Sequence, residues 1–191
     1  MIMNENFKKV VSEFIDFNEA EWLLFSESMI IKHYKKGEYF LEEGNLCNHV
    51  GFTIKGILGY YYLINGIEHM RGFFFPNDFF SNYNCFLLNN KSTAYIQALE
   101  DCSVILIHKD EINMLNDKIS TFHKLSQNML EKIYISLSEK FELFFLKTAE
   151  ERYFKLISER PKLIQKIPQY MIASYLGITP EGLSRIKKRT S

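Results

Sequence analysis

The chain has 191 residues, 47% of them hydrophobic and 24% charged, with 23 Lys and Arg against 23 Asp and Glu. This is the composition of a folded domain with a real core rather than of a disordered chain. The opening residues MIMNENFKKV carry Asn and Glu where a secretory leader would carry an apolar run, and no stretch reaches the roughly 18 apolar residues needed to span a bilayer. A cytoplasmic protein with no membrane segment is the expectation.

The first segment, FKKVVSEFIDFNEAEWLLFSES, reads as one or two short helices with Asn18 as a cap. Residues 28–108 then alternate short aromatic and β-branched runs (MIIKHY, HVGFTIKG, ILGYYYLI, EHMRGFFF, TAYIQAL, SVILIH) with the turn signals KKGE, EEGN, INGI and PND. That punctuation predicts an antiparallel β-roll. Cys47, Cys85 and Cys102 are too widely spaced for a CxxC pair or a cluster, so single buried thiols are expected. His33, His49, His69, His108 and His123 stand alone, without the His-x-His pair of a cupin-like metalloenzyme, so no metal site and no catalytic residue is assigned. No Gly-rich phosphate loop or nucleophile motif is found either.

From about Asp110 the period becomes helical, with Phe122, Leu125, Met129, Ile133, Leu137, Phe141 and Phe144 recurring at three- and four-residue steps and Leu130 and Tyr134 widening the stripe. Such a stripe suits a dimer seam as well as a core face. The run TAEE at 148–151 matches a capping box and starts a new helix. Residues 147–191 hold ten Lys or Arg against four Asp or Glu, a basic end on an acidic body that suggests a polyanion partner.

In the last segment Pro168 suits a first helical turn, Met171, Ile172, Tyr175 and Leu176 form an apolar face, and Gly177 ends it, with Ile178 as a buried plug. Thr179 can cap a second helix that has Pro180 at its first position, and Leu183 and Ile186 turn back to the first. This is the helix-turn-helix pattern, whose second helix enters the DNA major groove. Glu181, Ser184 and Arg185 would then read bases, with Thr179, Lys187, Lys188 and Arg189 at phosphates. Gly182 is discordant, because glycine inside a helix costs about 1 kcal/mol against Ala.

The run IASYLGITPEGLSRIKKR resembles the helix-turn-helix of the Crp/Fnr transcription regulators, whose recognition helix carries a Glu-x-x-Ser-Arg pattern. KKGEYFLEEGN and GIEHMRGFFFPNDFF resemble the family's cyclic-nucleotide-binding roll. The resemblance implies an α+β chain. Residues 1–115 would be an N-terminal antiparallel β-roll (double-stranded β-helix) for an effector, 116–147 the long dimerisation helix, and 148–191 the helix-turn-helix domain. It also implies a homodimer on a two-fold symmetric double-stranded DNA site, and admits RNA polymerase as a partner. Pro180 replaces the family's usual first Arg of the recognition helix. At the effector cassette, Ser81 and Asn82 stand for its Gly-Glu pair, and Ser92 and Thr93 for its Arg-Ser pair, with Tyr83 beside them. The phosphate-neutralising Arg is missing, so no cofactor is expected, cyclic AMP is disfavoured, and another small effector stays open. A cyclic-nucleotide sensor acting through protein partners is the alternative function, with a cupin-like metalloenzyme ranked behind it.

Overall fold

The computed structural model describes residues 5–190. Helices α1 (Glu5–Ser12) and α2 (Glu19–Glu27) lead into strands β1 (Met29–Tyr34), β2 (Tyr39–Leu41), β3 (His49–Lys55), β4 (Leu58–Ile64), β5 (Ile67–Phe74) and β6 (Phe79–Phe80). The short helix α3 (Tyr83–Leu88) precedes β7 (Tyr95–Ala98) and β8 (Cys102–His108). The rest is helical: α4 (Lys109–Lys118), α5 (Phe122–Leu146), α6 (Ala149–Glu159), α7 (Pro161–Lys166), α8 (Gln169–Leu176) and α9 (Pro180–Thr190).

The strands form two antiparallel sheets of order β1-β8-β3-β6 and β2-β7-β4-β5. The expected α+β architecture of roll, long helix and C-terminal helices is therefore what the chain adopts. β8 shows why one strand reads as a continuous apolar run. Val104 and Leu106 join a core with Tyr60 and Ile96 of the other sheet, while Ile105 and Ile107 join Phe7, Val11, Phe25, Leu115, Phe122 and Leu125 from the helices. A strand buried on both faces has no polar side to alternate with. Asn18 caps α2 and Thr148 caps α6, each in a complete capping box.

Two compact units emerge, one of residues up to Tyr62 with Gly72–Glu131, the other of Leu63–Arg71 with Lys132 onward. The second unit thus includes the tip of the β4–β5 hairpin, where Asn65 (φ 53°) and Gly66 (φ 78°) both adopt the left-handed region of a tight two-residue turn. The predicted stripe of α5 splits. Phe122 and Leu125 are buried and Met129 and Ile133 half-buried, whereas Leu137, Phe141 and Phe144 are exposed. The reason is angular: at roughly 100° per residue, Leu130, Tyr134, Leu137, Phe141 and Phe144 lie about a quarter turn from the line Phe122, Leu125, Met129, Ile133. A second correction is the break at 119–121, which separates α4 from α5 where one periodic helix was expected.

Within the second unit the Lys140 ammonium stands 4.1 Å from the centroid of the Tyr175 ring and donates to the Arg71 carbonyl. Burial, then the charges of Arg71 and Arg160, push its pKa down to about 8, while burial pushes that of Tyr175 up. An unfolded Lys keeps its proton to about 10.4, so the unfolded chain binds more protons between those values and stability rises with pH there. Lys140→Met removes this dependence. The melting-temperature advantage of the variant over wild type, whatever its value at pH 7, should shrink by pH 9.5, and a pH-independent difference would contradict the burial of the charge.

Candidate nucleic-acid interface and ligand cavity

α8 and α9 are joined by a turn of the kind that reverses a chain sharply. Gly177 has φ 70°, its N–H bonds the Ser174 carbonyl at 3.0 Å, and the Ile178 N–H bonds the Ala173 carbonyl at 3.0 Å. These are the two bonds of a Schellman ending. The Thr179 hydroxyl then accepts the Gly182 N–H at 3.1 Å and opens α9 with Pro180 at its first position. Met171, Ile172, Leu176, Leu183 and Ile186 are buried between the helices of this unit. Ile178, expected as a buried plug, is half-buried, because it follows the turn rather than lying inside it.

Glu181, Ser184 and Arg185 are all exposed on the opposite side of α9. The Glu181 carboxyl is held below the ordinary carboxylate range first by its own backbone N–H, then by the Thr179 hydroxyl, with Arg185 adding attraction. It is ionised and leans on the helix start. Lys188 is exposed, Lys187 donates to the Gln169 side-chain oxygen at 3.1 Å, and Arg189 pairs with Glu150 at 3.8 Å. A groove of about 350 Å³ is lined by Gln169, Pro180, Leu183, Ser184, Lys187 and Lys188. Gln169 is the residue that sequence reasoning misses here. Its place directly after Pro168, at the start of the first helix, was the available signal. Gly182 is not required by packing, since a methyl there would meet only Thr179 and Ile178 at ordinary contact distances of 3.4 and 3.7 Å.

The second candidate site lies around α3 and the segment that leads into β7. Asn82 and Ser92, 5% and 2% exposed, bond each other through Asn82 Nδ2 and Ser92 Oγ at 3.0 Å. Ser92 Oγ also donates to the Ala94 carbonyl and accepts the Ala94 N–H. Ser81 donates to the His49 carbonyl at 3.0 Å and contacts Cys47 Sγ at 3.3 Å. Tyr83 is half-buried and stacked on Phe86, and Thr93 is exposed with Lys91, on the opposite side of the chain from Ser92. One cation reaches this region from α4: Lys109 donates to the Phe86 carbonyl at 2.6 Å, over the Phe86 ring. Phe80 packs edge-on against Phe40 and tilted against Phe74. The polar groups thus satisfy one another, and aromatic side chains fill the volume beside them. The three thiols are free and buried, and burial pushes Cys102 up to about 11.

Two histidines that stand apart in sequence face each other. His49 and His108 are cross-strand partners with ring centroids 4.9 Å apart, and burial, then His108 and Lys32, lower the His49 pKa. Among the described residues no three His, Cys, Asp or Glu converge on a metal position, and no helix is long and apolar enough to cross a membrane.

Residues 31–118 match the family model of the cyclic nucleotide-binding domain. Among curated proteins no sequence matches. The fold is similar to that of a Eubacterium rectale protein assigned to the Crp/Fnr family of transcriptional regulators, at 20% identity over 91% of this chain and 83% of that one, with TM-score 0.70. It is also similar to CLP, the c-di-GMP-responsive global regulator of Xanthomonas campestris (14% identity, 91% of each chain, TM-score 0.68). A third similar structure is the catabolite activator protein of Thermus thermophilus (19% identity, 92% of this chain and 84% of that one, TM-score 0.58).

The mutually satisfied polar groups at Asn82 and Ser92 generate a direct expectation for the ligand class in the family model's name. A ligand at one hundred times its Kd stabilises the folded state by about 2.7 kcal/mol. Millimolar cyclic AMP should leave the melting temperature unchanged; a shift saturating at micromolar nucleotide would show that the site opens and that the Asn82–Ser92 pair is not its resting state.

Proposed function

We propose that this chain, which carries a cyclic nucleotide-binding domain and the fold of the Crp/Fnr regulators, is a sequence-specific DNA-binding transcription regulator that acts as a homodimer in the cytoplasm and performs no catalysis. The observation that carries the reading is α9, on which Glu181, Ser184 and Arg185 face outward while Leu183 and Ile186 are buried. Helix α9 is the major-groove reader. Arg185 forks to guanine O6 and N7, Glu181 accepts from cytosine N4, and Ser184 sits between them. Thr179, Lys187, Lys188 and Arg189 belong to the phosphate contacts, of which Lys188 is the best placed, since Lys187 and Arg189 also engage Gln169 and Glu150. The division of labour is 1–115 for the effector roll, 116–147 for the connecting helix and 148–191 for the reader. The effector cavity is degenerate and takes another ligand or none.

The dimer forms along the exposed seam Leu130, Tyr134, Leu137, Phe141 and Phe144, whose steps of four and three residues are those of a coiled-coil face. Leu137→Glu with Phe141→Glu should give folded monomers by light scattering and abolish specific DNA affinity. Dimers that survive the change would remove the seam. Met129 and Ile133 are no test of it, because half-buried side chains report on packing within the chain.

Base reading and phosphate contact separate by how they respond to sequence and salt. Arg185→Ala should lose roughly 1–3 kcal/mol of discrimination at one symmetric base pair of each half-site. Lys188→Ala should weaken all sequences alike and reduce the salt slope by about one. Half-sites should lie near 34 Å apart, about one helical turn. The measurement is binding to single-base variants of a mapped site at two salt concentrations. Equal losses on every variant for Arg185→Ala would make Arg185 a phosphate contact.

A further inference from the structure

The turn of the β4–β5 hairpin is exposed, but the β5 residues that follow it, Glu68 to Arg71, meet α8 and α5 together within the second unit. On the α8 side, one hydroxyl makes both bonds: Ser174 Oγ accepts the Met70 N–H at 2.9 Å and donates to the Glu68 carbonyl at 2.9 Å. This copies the pattern of a neighbouring strand residue, whose backbone would offer one donor and one acceptor to the edge of β5. On the α5 side, Lys140 donates to the Arg71 carbonyl, the next position along the same strand. Lys140 also lies over the ring of Tyr175, the residue after Ser174, at 4.1 Å. The result is a closed circuit of strand tip, α8 and α5.

We propose that the hairpin tip is a bracket that fixes α8 against α5, with Ser174 and Lys140 as positioning residues for DNA reading. The inference rests on the dimeric DNA-binding reading above. If α5 pairs with its copy, the angle at which α8 leaves α5 sets the separation of the two α9 helices. A second set of contacts already joins the two helices farther along: Arg152 lies 4.5 Å from the Phe144 ring centroid and donates to the Leu176 carbonyl at 2.9 Å. One such attachment leaves a pivot, and the bracket removes it by holding α8 at a second place. Neither Ser174 nor Lys140 lies on the reading face, so neither should change which base is preferred. Each should change how strictly the half-site spacing is enforced. Strands β4 and β5 run on into the roll, so the spacing is set by an element that the effector domain shares through its own chain.

The test uses the full chain with Ser174→Ala, Ser174→Thr and Lys140→Met, and two measurements. The first is amide exchange at Met70, which needs no DNA. The second is affinity for a mapped site and for the same site with one base pair inserted or deleted between half-sites, a change that turns one half-site by about 36° around the duplex. Expected are faster Met70 exchange in Ser174→Ala, a severalfold smaller spacing preference in Ser174→Ala and Lys140→Met with single-base discrimination intact, and recovery in Ser174→Thr. Unchanged exchange in Ser174→Ala would overturn the bracket. Faster exchange with the spacing preference unchanged would overturn the positioning role. A wild-type protein with no spacing preference at all would sink the DNA reading and the positioning role with it, while Met70 exchange would still report whether the bracket forms.

Discussion

Position 177 favours glycine for two independent reasons. Its φ of 70° lies in the left-handed region, which costs other residues about 1–2 kcal/mol, and a Cβ built there would stand 3.1 Å from the Phe144 ring. The contact ties the turn between α8 and α9 to the last part of α5. Arg152 completes the joint by lying over that same ring and donating to the carbonyls of Leu176 and Lys147. The direction of α9, and so of Glu181, Ser184 and Arg185, follows from how closely backbone and ring approach at this one place.

The region around α3 illustrates a different constraint. A buried polar group left without a partner costs about 1–3 kcal/mol, so side chains buried as deeply as Asn82 and Ser92 must find internal partners. Asn82, Ser92 and Ala94 do this for one another, and Ser81 turns to the His49 carbonyl. Lys109 is already bonded to the Phe86 carbonyl, and Phe80, Phe86 and Tyr83 are packed in the same cluster, so an anionic ligand would have to displace packed rings.

Much of this was legible in the sequence because local chemistry decided it. β1 occupies the predicted run MIIKHY residue for residue, and Asn18, Thr148 and Thr179 cap the helices they were expected to cap. What escaped was either too short to have a period or non-local. β6 is two residues and β2 three, below the length at which alternation can be seen. The turns of α3 and α7 each span six residues and carry no side-chain cap. His49 opposite His108, and Ser174 on Glu68 and Met70, join positions far apart in the chain, and only the folded topology brings them together. At α9 the residue types were legible, but the internal bonds of Lys187 and Arg189 were not.

The split of α5 separates buried early turns from exposed later ones. The line Phe122, Leu125, Met129 and Ile133 takes three steps over 11 positions, about 3.67 residues per step, whereas Leu130 to Phe144 takes four steps over 14 positions, or about 3.5. The first period follows a straight or slightly right-handed line, the second the left-handed seam of two wrapped helices. The first line meets the helical layer of the roll, where Phe122 and Leu125 join Phe7 and Phe25. The second begins only where that burial ends. Tyr134, Ile135, Leu137, Phe141 and Phe145 crowd the latter half as exposed side chains while Phe122 and Leu125 are buried by their own chain, so the dimer proposed above would draw on the later turns. A change of period inside one helix marks such a split, and a count of apolar residues alone averages it away.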